Sequence, residues 1–228
     1  MNKLHRLSIA LAACFVGVAA HAQAASAPAA GAPQGGSAAA GEKKAAMCIG
    51  CHGIPGYKAS FPEVYQVPMI AGQNAKYIVG ALTAYKKGDR KHPTMRGIAA
   101  SLTDQDMADL AAFYETEYKA ADPAGAGTPV PPPTVAELLK KGNCASCHGE
   151  NFSKPIDASY PKLAGQHADY LYQALKAYQT DNNPQVGRNN PVMMGMARPF
   201  NHAELKALSA YLSSLPGQLA TVPQSRFR

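Results

Sequence analysis

Outside its first residues the chain has no apolar run of the roughly 20 residues that a spanning helix needs. It has no basic helix and no cluster of Lys and Arg, so the formal charge of +7 is a solvated surface and no sign of a nucleic-acid partner. No stretch shows the alternation of a half-buried strand. Of five cysteines, Cys14 lies in the leader and the other four sit in two short motifs, leaving none for a structural disulfide. An exported chain would ordinarily oxidise spare thiols.

Export is expected from the N-terminus. Lys3 and Arg6 form a basic region, Leu7 to Ala20 is apolar and rich in small residues, and Ala20-His21-Ala22 or Ala22-Gln23-Ala24 offers a cleavage site. Residues 1–24 read as a cleaved signal peptide, and their loss lowers the charge to +5. Leu11-Ala12-Ala13-Cys14 also resembles a lipoprotein box, although the apolar run continues past Cys14 to Ala20. That reading would change only the location, and peripheral membrane association is a separate possibility. Residues 25–41 are a low-complexity flexible leader, and 121–133, ending Val130-Pro131-Pro132-Pro133, are a Pro/Gly-rich linker. Two domains, 42–120 and 134–228, flank it.

The four cysteines stand in Cys48-Ile49-Gly50-Cys51-His52 and Cys144-Ala145-Ser146-Cys147-His148. C-x-x-C-H attaches a c-type haem: the thiols add to the porphyrin vinyl groups, and the histidine binds iron from one face. A four-cysteine zinc site needs no trailing histidine, and a redox dithiol belongs in a strand-rich fold. Export, duplication and the histidines favour two covalent haems, whose four propionates would lower the charge further.

The halves repeat one another. Ala71-Gly72-Gln73 matches Ala164-Gly165-Gln166, Tyr77 and Tyr85 match Tyr170 and Tyr178, and Pro93-x-Met95-x-Gly97 matches Pro191-x-Met193-x-Gly195. A second iron ligand should occur in both halves. His92 faces Asn190, His167 faces Asn74 and His202 faces Asp104, so no further histidine is shared. Met95 and Met193 are shared, 43 and 45 residues after their histidines, in stretches expected to be non-helical. Met194 and Met196 compete with Met193, but the register to Phe200 favours Met193. Met47, Met69, Met107, Met194 and Met196 read as filler or surface.

Periodicity predicts helices throughout. Asn74 to Lys87 carries apolar residues at helical spacing and stops at Gly88. Thr103 caps a helix burying Met107, Leu110, Ala111, Tyr114 and Tyr118, and Asn201 opens one burying Leu205, Leu208, Tyr211, Leu212 and Leu215. Thr134 with Glu137 reads as a capping box, and Gly41 to Met47 as a helix leading into the first motif.

On these motifs each half resembles a class I c-type cytochrome domain, and the tandem resembles the dihaem cytochrome c4 family over most of residues 42–217. The resemblance implies an all-α fold of two compact domains, each around one covalent haem. It implies a periplasmic electron carrier between redox protein partners, such as a respiratory donor complex and a terminal oxidase or reductase. It also implies that a backbone carbonyl orients each ligating histidine; Pro62 or Pro68, and Pro155 or Pro161, are the candidates. The stretch Phe61 to Val67 is longer than its counterpart in the second half. With His52 and Met95 on one iron and His148 and Met193 on the other, neither iron has room for a small-molecule substrate, and no catalytic residue is expected. The alternative is a dihaem subunit of an oxidoreductase complex, such as a flavoprotein sulfide dehydrogenase. A stand-alone haem enzyme is disfavoured, since no cysteine is spare as a ligand.

Overall fold

The structure, a computed structural model, describes residues 35–119 and 128–223. The export signal, Cys14, and most of the leader and linker lie outside those residues.

In the first half, α1 (Ala38–Lys44) and α2 (Ala46–His52) meet at Ala45. Residues 38–41, expected in the flexible leader, are helical. Ser37 Oγ accepts the Ala40 N–H at 3.3 Å, giving the helix its start. Gly41 lets α1 lie directly on α5 (Asp104–Glu117), since a Cβ there would fall 2.0 Å from the Asp109 carbonyl oxygen. Lys44 fastens the crossing through Asp106 and Asp109 at 2.7 and 2.6 Å.

Next comes α3 (Ala75–Lys87), which stops at Gly88 with φ of 86°, as its sequence predicts. It is followed by α4 (Pro93–Ala100). Thr103 and Asp106 form a capping box on α5. Ile49, Ile78, Leu102, Met107, Leu110 and Tyr114 are buried together. Tyr118, expected on the inner face, is 39% exposed, because α5 ends at Glu117 and Tyr118 is already extended.

The second half repeats this with α6 (Pro133–Lys141), α7 (Ala145–His148), α8 (Ala168–Gln179), α9 (Pro191–Ala197) and α10 (His202–Ser214). The capping box expected at Thr134 does not form. Proline, whose missing N–H costs nothing at a helix start, opens α6 at Pro133, so Thr134 is already inside the first turn. Asn201 and Glu204 do form the box on α10, and all five residues predicted to face inward from that region are buried.

The fold is all-α, with two small antiparallel pairings among the described residues that sequence periodicity did not reveal. β1 (Lys58–Ala59) pairs with β2 (Tyr65–Gln66), and β3 (Arg90–Lys91) pairs with β4 (Gly187–Arg188). Two residues are too few to show alternation. The second pairing joins the halves. The long Phe61–Val67 stretch also reaches across: Gln66 N–H donates to Asp169 at 2.9 Å, and Glu63 pairs with Lys176. After α10 the chain returns to the first half, where Ala220 N–H donates to the Ala71 carbonyl at 3.0 Å and Val222 packs on the first core.

Candidate metal centre

Cys48, Cys51 and His52 lie on α2, where spacings of three and four residues put them on one helix face. Cys144 caps α7, which carries Cys147 and His148. All four cysteines are half-buried and none is in a disulfide. Burial raises the pKa of the Cys48 and Cys144 thiols, so at rest these two are held protonated.

Each histidine is held by a proline carbonyl. His52 Nδ1 lies 2.8 Å from Pro68 O, and His148 Nδ1 lies 3.1 Å from Pro161 O. A carbonyl oxygen can only accept, so Nδ1 carries the proton and Nε2 carries the lone pair. The choice left open by sequence therefore falls on Pro68 and Pro161, not Pro62 and Pro155. Burial pushes the pKa of both rings down, against the opposing carbonyl bonds. Both are held as neutral imidazole, the form that binds a metal.

The methionines are helical, contrary to the sequence reading. Met95 is the third residue of α4 and Met193 the third of α9, each two residues after the proline that opens its helix. The proline two residues earlier, whose missing N–H costs nothing at a first helical position, opens each helix. The Met95 N–H donates to His92 Nδ1 at 3.3 Å, and the Met193 N–H donates to Asn190 Oδ1 at 3.1 Å. His92 and Asn190 thus do the same capping work, which explains why His92 has no histidine counterpart. Met194 is half-buried like Met193, and Met196 is 44% exposed, but only Met193 shares Met95's place in its helix. Met107 is core, 1% exposed, with its sulfur 3.7 Å from Thr83 Oγ1.

Sequence reasoning missed a basic cluster between the halves. Arg90 and Arg188 are opposite one another in the β3–β4 pair. Arg90 donates to Tyr77 OH at 3.3 Å and to Tyr170 OH at 3.2 Å, and Arg188 donates to Tyr170 OH at 3.2 Å. The guanidiniums also lie over Tyr85 and Tyr178, at 4.6 and 5.4 Å from the ring centres. Burial alone would raise the Tyr170 pKa, but the two guanidiniums outweigh it and bring it to about 8. Arg90 is 9% exposed, its Nε has no partner, and neither arginine makes a salt bridge among the described residues.

A small cleft, partly open to solvent, adjoins the pair. Its lining includes Arg90, Lys91, Arg188 and His92 and no carboxylate. Like charges paired across a ladder are unfavourable, and a buried charge without a counter-charge costs several kcal/mol. The cluster therefore fits a group that brings its own anions, as haem does with its propionates. The duplication carried the signal: Arg90 and Arg188 stand three residues before their respective prolines.

Comparison with known proteins identifies the family. The cytochrome c family model matches residues 38–116 and again 134–216. A cytochrome c4 of Thiocapsa roseopersicina is 36% identical over 188 residues, covering 77% of this chain and 91% of that protein. A thiosulfate dehydrogenase electron acceptor of Stutzerimonas stutzeri is 33% identical over 196 residues, covering 79% and 84%. The crystal structure of reduced recombinant cytochrome c4 from Pseudomonas stutzeri superposes with a TM-score of 0.56. It is 29% identical, covering 79% of this chain and all of that one.

Proposed function

The chain belongs to the cytochrome c family, with two haem c domains akin to those of cytochrome c4, and on that premise we propose which residues hold the cofactors and how they make a carrier. Cys48 and Cys51 attach the first haem and Cys144 and Cys147 the second. His52 and Met95 ligate one iron, and His148 and Met193 the other. The observation that supports this most is the repeated pair of devices: a histidine fixed through Nδ1 by a proline carbonyl, and a methionine third in a capped helix.

Covalently bound haem supplies a one-electron ferrous–ferric couple. The protein tunes that couple. The proline carbonyls fix the tautomer and direction of each ring, so that Nε2 faces the metal with little freedom to turn. The thioethers favour the ferrous state relative to a second imidazole and raise the potential. With His52 and Met95 holding one iron and His148 and Met193 the other, no coordination site would be left for a substrate. The chain is an electron-transfer protein and no enzyme.

Its partners are redox proteins. We infer a place in the periplasm, after cleavage of residues 1–24, between a respiratory donor and a terminal oxidase or reductase. Among the described residues no helix is long and apolar enough to cross a membrane. A second reading, electron acceptor from a dedicated oxidoreductase, is favoured by the 33% identity to an acceptor for thiosulfate dehydrogenase. Purification from the native host separates the two, since a dedicated subunit would leave the cell in fixed stoichiometry with its enzyme.

The ligand set is tested by optical spectra of the haem-loaded chain. Two haems per chain, a methionine-sulfur-to-iron charge-transfer band when oxidised, and no carbon monoxide binding when reduced are expected. Carbon monoxide binding at either haem would overturn the closed-site reading.

A further inference from the structure

The A-G-Q motif recurs in both halves and has no role in attaching or ligating a haem. Its glycines have φ of 82° at Gly72 and 77° at Gly165, a left-handed turn that glycine adopts without strain. The turn sends the next side chain across to the other half. Gln166 Oε1 accepts the Met69 N–H at 3.0 Å, while its Nε2 donates to the Met69 carbonyl at 2.8 Å. Gln73 does the same in reverse, accepting the Lys162 N–H at 2.9 Å and donating to the Lys162 carbonyl at 3.1 Å. Each amide oxygen is further fixed by the N–H of its own following residue, Asn74 or His167, at 3.0 Å. Both glutamines are 4% exposed.

Met69 follows Pro68, and Lys162 follows Pro161. The N–H that Gln166 receives therefore belongs to the same peptide group whose carbonyl accepts the proton of His52 Nδ1. The N–H that Gln73 receives likewise belongs to the peptide that holds His148. Hydrogen bonds in series polarise one another. An acceptor on the N–H side of a peptide makes its carbonyl oxygen more negative, and a more negative oxygen draws harder on the imidazole proton. The ring then gives more electron density through Nε2.

We propose that Gln73 and Gln166 are cross-domain positioning residues, each setting the histidine of the other domain through one shared peptide group. The proposal rests on His52 and His148 being the iron ligands. It makes the potential of each haem depend on a side chain that belongs to the opposite half. Domain docking and ligand strength are thereby one property.

The test uses the haem-loaded full chain with Gln166→Ala and Gln73→Ala, reading both midpoint potentials and the imidazole Nδ1–H proton resonances of the reduced protein. Gln166→Ala should weaken the His52 bond, destabilise ferric iron and raise the first haem's potential, leaving the second unmoved. Gln73→Ala should do the reverse. Cooperative strengthening of one buried hydrogen bond corresponds to about a threefold change in the ferrous-to-ferric ratio, or ~28 mV at 59 mV per tenfold for one electron. The affected ring proton should move upfield in the opposite domain only. Lys76→Ala, which removes the exposed cross-domain pair with Asp157, should move neither haem.

Where the alanine variants do not hold haem, Gln166→Met keeps the side-chain volume while removing the acceptor and should move the His52 ring proton upfield, again in that domain alone. Equal shifts of both haems, shifts in the glutamine's own domain, or unmoved ring protons would sink the proposal. A wild-type chain lacking His/Met spectra would instead overturn the ligand assignment beneath it.

Discussion

In the first half the helix bearing the paired methionine is capped by a histidine ring, in the second by an asparagine amide. The first half carries a longer loop at Phe61–Val67 that lies on α8, and the second offers no equivalent. The first haem motif lies on a seven-residue helix, the second on one of four residues. Against these differences, the histidine carbonyls, the methionine register, the paired arginines and the crossed glutamines agree position for position. The features that agree are the proposed ligands with their supports, the contacts between the copies, and the capping boxes on α5 and α10. Those that differ are one loop, the length of the motif helix and the residue that caps the methionine helix.

Removing a ligand breaks the comparison most. His52→Ala should abolish the low-spin spectrum of one haem and leave the other, and His148→Ala should give the mirror result, read by the haem absorbance per chain. A smaller break comes from the thioethers. Met95→Ala and Met193→Ala should each open one reduced iron to carbon monoxide, whereas Met194→Ala should leave both closed. Carbon monoxide binding by the Met194 variant would transfer the ligand role to that residue.

The arginines sharpen the comparison, since they match in sequence but differ in bonding. Arg90 serves both Tyr77 and Tyr170, and Arg188 serves Tyr170 alone. Arg90→Gln, which removes two buried hydrogen bonds to tyrosine hydroxyls, should cost the haem-loaded protein about 3 kcal/mol in denaturant unfolding, and Arg188→Gln, which removes one, roughly half of that.

The smallest effect makes the halves alike. His92→Asn gives the first half the cap of the second and removes a buried Nε2 that has no partner; a gain of about 0.5 kcal/mol is expected at neutral pH. Burial, joined by the charges of Arg188 and Arg90, holds the His92 pKa below its ordinary 6.5. The unfolded chain then binds the proton more readily. Stability from this group is complete above pH 6.5 and is lost as pH falls below it toward the depressed folded value. His92→Asn should flatten that part of the acid limb in a pH series of unfolding midpoints.

Much of this was legible in the residues. The haem motifs, the stop at Gly88, the caps at Thr103 and Asn201 and the register of Met95 with Met193 are local signals or repeats, and each is where the sequence puts it. The errors have local causes as well. The Met95 and Met193 stretches, expected to be non-helical, are helical because Pro93 and Pro191 open α4 and α9, and Pro133 overrides Thr134 as the start of α6. The roles of Arg90, Arg188, Gln73 and Gln166 come from contacts between residues about 80 to 100 apart in sequence, and no periodicity encodes those. The repeat did mark the residues. It could not say that each copy of a matched glutamine works for the other copy's histidine.

The return of the chain after α10 has a mechanical consequence. Because Ala220 bonds to Ala71 and Val222 packs on the first core, the second half is tethered to the first at both its ends. The boundary along the sequence is not the seam in space: the first half excised alone would lose part of its own wall. A single cut between the halves would leave two pieces still buckled together by the tail.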